Sequence, residues 1–192
     1  MSSERRGGLL ISTSCDHHDP EQLAVDALGW SGALVKDITL FGSRVSVLAH
    51  VDHEAHELRQ QTNTPPVVDR PSVALWEWPE FTAPPSVVRM VAIMAIGARW
   101  QSAMKAVSGF AGFSSTVLIL PQDAPAPSSC VAMAERYGVW MVRTGRSGAV
   151  IDHYGRVGPV ATSRPTTVTR WTEELVYARL VQDCLIEASP TR

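Results

Sequence analysis

The pattern of apolar and polar positions is most informative between positions 114 and 143, where an aliphatic run is followed by helical spacing and then by a second apolar run. Val117–Leu120 is an unbroken aliphatic run that stops at a proline, as expected of a strand buried on both faces. The stretch 128–137 then shows helical spacing and closes at Gly138, a residue type favoured just after helix ends. Its predicted buried face carries Val131, Ala134 and Tyr137. With the apolar run 139–142, the pattern predicts a strand–helix–strand unit with parallel strands and a right-handed crossover.

The sequence before residue 52 predicts a helix followed by a hairpin. Asp19, Pro20 and Gln22 suit the N-cap, the first and the third helical positions, so that Gln22 can complete a capping box. The helix should end near Gly29. Apolar residues in 33–51 lie on both sides of a Phe-Gly-Ser turn, which predicts a β-hairpin.

Three more elements are predicted in the middle and at the end of the chain. Residues 72–81 favour a strand that places Trp76 and Trp78 on one face, either as a platform for bases or a partner, or as part of the core. Residues 86–107 are apolar almost all round and predict a long helix that forms the centre of the core or packs against a second chain. Residues 172–187 predict a C-terminal amphipathic helix.

Composition places the chain among globular proteins. Hydrophobic residues make up 45% and charged residues 19% of the 192 residues, which excludes a disordered chain. No apolar run is long enough to span a bilayer or to serve as a signal peptide, so we expect a cytoplasmic protein without membrane attachment. The three cysteines are far apart in the sequence, which favours free thiols over a disulfide framework or a thiolate zinc site.

Charge is unevenly distributed along the chain. The net charge is −2, which counts against autonomous binding to nucleic acid. Residues 143–170, however, hold five arginines against one carboxylate and are rich in Gly, Ser, Thr and Pro. This segment could meet phosphates or an acidic partner, or it could be a surface loop whose arginines pair with carboxylates. The candidate nucleic-acid-binding residues are Arg143, Arg146, Arg156 and Arg164.

Histidines recur at a spacing of three in the stretch that follows the hairpin. Residues 53–61 predict a short polar helix or turn, in which His53 and His56 would share one face. Imidazole pairs of this kind can hold Zn²⁺, and His50 lies one step further back. The alternative is a solvated polar helix without metal.

Several local sequences resemble Mrr-type restriction endonucleases, a branch of the PD-(D/E)XK nuclease superfamily. The stretch 21–30, Glu-Gln-Leu-Ala-Val-Asp-Ala-Leu-Gly-Trp, resembles the opening helix of that family. Residues 42–50 resemble its second strand, which ends in the catalytic Gln/Glu-x-Lys, and residues 117–121 and 132–142 resemble its closing strand–helix–strand. The resemblance implies an α/β fold with a restriction-endonuclease-like mixed sheet flanked by helices.

The resemblance also implies a divalent-metal site, in which carboxylate or amide oxygens hold Mg²⁺ beside a phosphate and a lysine assists water. Asp37 is the nearest match to the family's aspartate. Leu48 then stands where a Gln or Glu belongs, and His50 where the Lys belongs. Because a leucine cannot ligate a hard cation, the match implies a degenerate site that does not cleave nucleic acid.

The sequence therefore predicts four regions: a flexible segment 1–18, a restriction-endonuclease-like α/β core 19–143, a basic Gly/Ser/Pro-rich segment 144–170 and a C-terminal helix 171–192. The first hypothesis is a non-catalytic protein that binds DNA or RNA within a larger complex. The second is an assembly subunit, bound to other chains or to its own copies through apolar helices. The third is a metal-dependent hydrolase built on the histidines with Asp37 or Asp52. We expect no cofactor under the first two, and Mg²⁺ or Zn²⁺ only under the third.

Overall fold

The computed structural model describes residues 19–163 and 165–186, which build an α/β fold around one six-stranded mixed sheet. The strands are β1 (Ala33–Leu40), β2 (Ser43–Val51), β3 (Val88–Ile96), β4 (Ser115–Pro121), β5 (Trp140–Gly145) and β6 (Gly148–His153). The helices of the described ranges are α1 (Pro20–Leu28), α2 (His53–Gln61), α3 (Arg70–Ala74), α4 (Trp100–Ser108), α5 (Ser128–Tyr137) and α6 (Thr167–Gln182), with a 3-10 turn at Leu75–Glu77. The predicted flexible segment 1–18 lies outside the described residues.

The spatial order of the strands follows their order in the sequence. The first three strands form an antiparallel meander, β3 to β5 are parallel, and β6 returns antiparallel to β5. Helices α4 and α5 make the two crossovers that parallel strands require. The α/β class, the mixed sheet flanked by helices and the C-terminal helix are thus confirmed. Within 19–163 and 165–186 no helix is long and apolar enough to cross a membrane.

Both faces of the sheet are covered, by different helices. Ile93 and Ala95 point the same way on β3, and they pack in the clusters that contain residues of α6, and of α4 and α5, respectively. Met94 points the other way and packs with Ala24 and Val25 of α1. The sheet is therefore flanked by α4, α5 and α6 on one face and by α1 on the other.

The predicted central strand is confirmed. Every residue of Val117–Leu120 is fully buried, and β4 pairs in parallel with both β3 and β5. The helix after it ends at Gly138, which has the left-handed backbone, as predicted. Of its predicted buried face, Ala134 is confirmed, whereas Val131 and Tyr137 are wrong: both are exposed, and Cys130 faces the core together with Ala134.

The first helix and the hairpin are also confirmed. The Asp19 carboxylate accepts hydrogen bonds from the backbone nitrogens of Glu21 and Gln22, and the helix ends at Gly29 with φ 66°. The capping-box contact of Gln22 is wrong, since its side chain donates instead to Asp26 at 2.8 Å, one helical turn further on.

The long helix predicted over 86–107 is wrong: this stretch contains β3, a break at residues 97–99 and α4. A strand covered on both faces is apolar at every position, so its composition is the same as that of a buried helix. The predicted strand 72–81 is wrong as well. Asp69 caps α3 by accepting from the Ser72 nitrogen at 2.9 Å, and Pro71 lies in its first turn, where proline is tolerated.

The boundaries of the C-terminal helix differ from the predicted ones. Helix α6 begins at Thr167, five residues earlier than predicted, because Thr166 and Thr169 form a capping box with each other. The predicted basic segment 144–170 therefore includes the end of β5, all of β6 and the first turn of α6.

Gly155 lies directly over the backbone before β5: an added Cβ would be 2.4 Å from the Trp140 nitrogen and 2.6 Å from the Gly138 oxygen. Backbone atoms cannot move aside as the end of a side chain can. We therefore expect Gly155→Ala to lower the free energy of unfolding by about 1–3 kcal/mol. Gly109→Ala is the matched control, since nothing lies within 4 Å of its added Cβ. Urea unfolding followed by circular dichroism measures both, and equal midpoints would contradict the expectation.

Candidate binding site

The residues that the resemblance places in a hydrolytic site lie apart. Asp37 occupies the irregular part of β1 at φ 53° and forms an exposed ion pair with Arg44 at 2.8 Å. Its backbone nitrogen donates to Ser46 of β2. His50 is exposed four residues further along β2, which places it about 13 Å from Ser46 along the strand.

Leu48 is fully buried in the cluster on the α1 side of the sheet. Its side chain offers no ligand oxygen, and the carboxylate of Asp37 already binds Arg44. The nearby carboxyl group of Glu21 is buried and accepts from the Ser46 hydroxyl at 3.1 Å. Burial, with the neighbouring Asp19, raises the pKa of Glu21. The residues at these positions therefore do not fit the Mg²⁺ site that the resemblance implies.

The two candidate zinc ligands of α2 differ in their surroundings. His53 is exposed, whereas His56 is buried. Both ring nitrogens of His56 have partners: Nδ1 lies 2.9 Å from the Tyr177 hydroxyl and Nε2 lies 3.0 Å from the Gln60 amide. Burial and the neighbouring His53 lower the pKa of His56. In the described ranges no three His, Cys, Asp or Glu side chains are grouped to hold a metal ion.

The arginines of the basic segment do not form one surface. Arg143 pairs with Asp152, and Arg170 binds carboxylates within the protein. Arg156 lies over Gly138 at the end of α5 and donates to the Tyr137 carbonyl at 3.3 Å. Arg146 is exposed in the β5–β6 turn. Arg164 lies outside the described residues.

A buried ionic cluster joins α2 to α6. Arg59 and Glu174 are each 1% exposed and form a bidentate pair with N–O distances of 2.7 and 3.0 Å. Arg170, one turn before Glu174, adds a second guanidinium 2.7 Å from the same carboxylate. The Arg59 guanidinium also lies 4.8 Å from the centre of the Tyr177 ring. Two cations on one carboxylate leave it fully paired, which is the condition for burying a charge without a large loss of stability.

The same cluster holds the backbone of the connector 62–87, which links α2 to β3. Arg59 donates to the carbonyls of Thr64, Pro65 and Pro85, at 3.2, 2.6 and 3.3 Å. The Val67 nitrogen donates to Glu174 at 2.9 Å. Arg170 donates to the Pro84 carbonyl at 3.0 Å, and the indole of Trp171 donates to the Val68 carbonyl at 2.7 Å. A long connector with little regular structure is thereby held in one conformation.

This connector encloses a groove of about 580 Å³. Its apolar lining consists of Pro65, Pro66, Val67, Leu75, Trp76, Phe81 and Pro84. The Arg170 guanidinium lies 5.7 Å from the centre of the Trp76 ring, a distance at which a cation attracts an aromatic face. Two large apolar side chains that line the groove remain open to water, with exposed fractions of 50% for Phe81 and 43% for Leu75, and Trp78, which lies between them in the chain, is 63% exposed. Contiguous apolar exposure of this kind marks binding surfaces in soluble proteins.

Adjacent antiparallel strands need only a two-residue turn, yet β2 and β3 are joined by residues 52–87. Long connections in compact domains are commonly functional. The sequence marks this stretch by its prolines and by Trp76 and Trp78, but it carries no local signal for the contact between Arg59 and Glu174. Comparison with protein-family models, curated proteins and solved structures gives no match to this chain. The site is therefore defined by its own geometry.

Removing the negative charge at the centre of the ionic cluster should destabilise the protein. Glu174→Gln leaves Arg59 buried without a counter-ion, while Arg170 keeps its pair with Glu173 at 3.7 Å. We expect a loss of about 3–5 kcal/mol in the free energy of unfolding. Asp37→Asn is the control, because its pair with Arg44 is exposed and screened by water, so its unfolding midpoint should stay at the wild-type value. Urea unfolding compares the two. Similar midpoints would show that the cluster does not carry this stability.

Proposed function

We propose that the protein is a non-catalytic binding subunit of a larger complex, and that it takes up an extended segment of a partner protein in the groove of residues 64–84. The observation that carries this proposal is the preformed aromatic groove, whose backbone is held by the buried Arg59–Glu174 cluster. A groove that is rigid before binding loses little conformational entropy when a ligand enters. Exposed tryptophan and phenylalanine side chains supply the anchors that dominate binding energies at protein interfaces.

The chemistry of the groove supports binding rather than catalysis. Among the described residues that line it, Asp69 is the only ionisable side chain, and no histidine, cysteine or lysine is present. Asp69 already accepts from the Ser72 nitrogen as the cap of α3, and hydrogen bonds from Ser72 lower its pKa. A carboxylate with a lowered pKa is a poor general base at neutral pH.

Selection of random peptides on the immobilised full chain tests this proposal. We expect the enriched peptides to bind wild-type protein and to lose about tenfold or more in affinity for Leu75→Ser/Phe81→Ser, because both replaced side chains line the groove. Tyr154→Ser is the matched control, since Tyr154 is an aromatic residue with 71% exposure on the segment after β6. Fluorescence anisotropy measures the affinities. Enrichment of no peptide, or equal binding to the groove variant, would refute the proposal.

A second candidate is the nucleic-acid-associated function on a restriction-endonuclease-like fold. One observation favours it: Arg99 and Arg146 are both exposed at the carboxyl edge of the parallel strands. They follow β3 and β5, two strands and about 10 Å apart across the sheet. Neither makes an ion pair within residues 19–163 and 165–186. The order of α1, the hairpin and β4–α5–β5 also agrees with the resemblance.

Salt dependence tests this second candidate. If phosphates bind at this edge, affinity for a DNA duplex should fall steeply between about 50 and 200 mM salt, and Arg99→Ala/Arg146→Ala should flatten the slope by about two units. Arg89→Ala is the control, because Arg89 is exposed at the opposite end of β3. Anisotropy titrations with labelled duplex and single-stranded DNA give the slopes. No binding at the lower salt concentration, or unchanged slopes in the double variant, would remove the nucleic-acid candidate.

A further inference from the structure

We propose that the ligand of the groove is a proline-rich segment in the polyproline II conformation that carries at least one lysine or arginine. This inference rests on the proposed peptide-binding function and adds the chemical class of the ligand. Three features of the connector carry it: which backbone groups are already bonded, which donors remain, and the charge around the aromatic rings.

The carbonyl groups of the groove are largely occupied from within the protein. Those of Thr64 and Pro65 accept from Arg59, and that of Pro84 accepts from Arg170. The adjacent Val68 carbonyl accepts from the Trp171 indole. A β-strand ligand must place its own N–H groups on acceptors, and each of these carbonyls already accepts a hydrogen bond from a side chain of the protein. The groove therefore suits a ligand with few backbone donors.

The donors of the groove, in contrast, remain open. Within the described part of the chain, the indole N–H groups of Trp76, which lines the groove, and of Trp78, two residues further on, have no hydrogen-bond acceptor, whereas that of Trp171 has one. A polyproline II segment offers unpaired carbonyls, and each of its prolines lacks an N–H group. Aromatic-lined grooves bind such segments by packing ring faces against the proline rings and donating indole N–H groups to the carbonyls. Trp76 and Phe81 supply these ring faces here.

The charge around the rings selects a cationic ligand. Residues 64–84 contain Asp69, Glu77 and Glu80 against Arg70, and the one further cation that the described ranges place against these rings, Arg170 at Trp76, is already paired with Glu174. Glu77 and Glu80 are exposed and lie on either side of Trp78 in the chain, and the Trp78 side chain is 63% exposed. A lysine or arginine of the ligand would therefore meet carboxylates and an indole face together, and both attract a cation.

Four labelled twelve-residue peptides test the ligand class with the full chain in anisotropy titrations: a Pro/Arg-rich peptide, the same peptide with Arg replaced by Glu, the same with Pro replaced by Ala, and an amphipathic helical peptide. We expect the Pro/Arg peptide to bind at least about tenfold more tightly than the other three. Glu77→Gln/Glu80→Gln should weaken that peptide and reduce its salt dependence, whereas Tyr154→Ser should leave it unchanged. Leu75→Ser/Phe81→Ser should abolish the preference.

The outcomes separate the ligand class from the function itself. Tighter binding of the acidic, alanine or helical peptide, lost in the groove variant, would overturn the ligand class and leave peptide binding intact. Groove-dependent self-association in sedimentation velocity would likewise overturn it, by making a second copy the occupant. Binding of DNA, but of no peptide, at the groove would overturn both proposals. Failure of all peptides, together with an empty random selection, would also overturn both.

Discussion

Arg59 and Glu174 are 115 residues apart in the chain, and their buried ion pair determines how α2, α6 and the connector 62–87 fit together. Charges are costly to bury, and an ion pair seldom adds net stability over a well-packed apolar contact. This pair uses its remaining donors and acceptors to hold the connector backbone at Thr64, Pro65 and Val67. We infer that its main effect is to select one conformation of the connector.

The sheet and the groove are separate parts of the molecule, one buried and one open to water. The parallel strands β3 to β5 are covered on both faces and supply a rigid core, with every side chain of Val117–Leu120 buried. The groove lies beside this core, on the long insertion between two antiparallel neighbours, and it is fixed to α6 through Arg170 and Trp171. The groove can thus keep exposed aromatic rings while the core carries the stability. Leu48 belongs to this core as well: it stands at a position that the resemblance assigns to a metal ligand, but its side chain packs in a buried apolar cluster.

Local signals were sufficient wherever one short stretch contains its own start and stop. Asp19 and Gly29 bound α1, and Gly138 ends α5, because capping depends on hydrogen bonds within a few residues. Local signals were insufficient where a stretch has a composition that suits two different secondary structures. Residues 90–96 are apolar throughout because helices cover both faces of the sheet, and no property of the stretch itself distinguishes that strand from a buried helix.

The sequence by itself determined the α/β class, the hairpin, the strand–helix–strand unit and the presence of an unusual proline- and tryptophan-rich stretch, because these depend on short-range geometry and on polarity. Only the tertiary structure decided that Arg170 lies beneath Trp76, that Asp37 and His50 lie apart on the sheet, and that the arginines after β5 are divided among separate contacts. The physical reason is that the groove is held in place by contacts between segments that are far apart in the sequence. The buried ion pair that makes these contacts involves single residues, so it produces no periodic pattern that could be recognised in the chain.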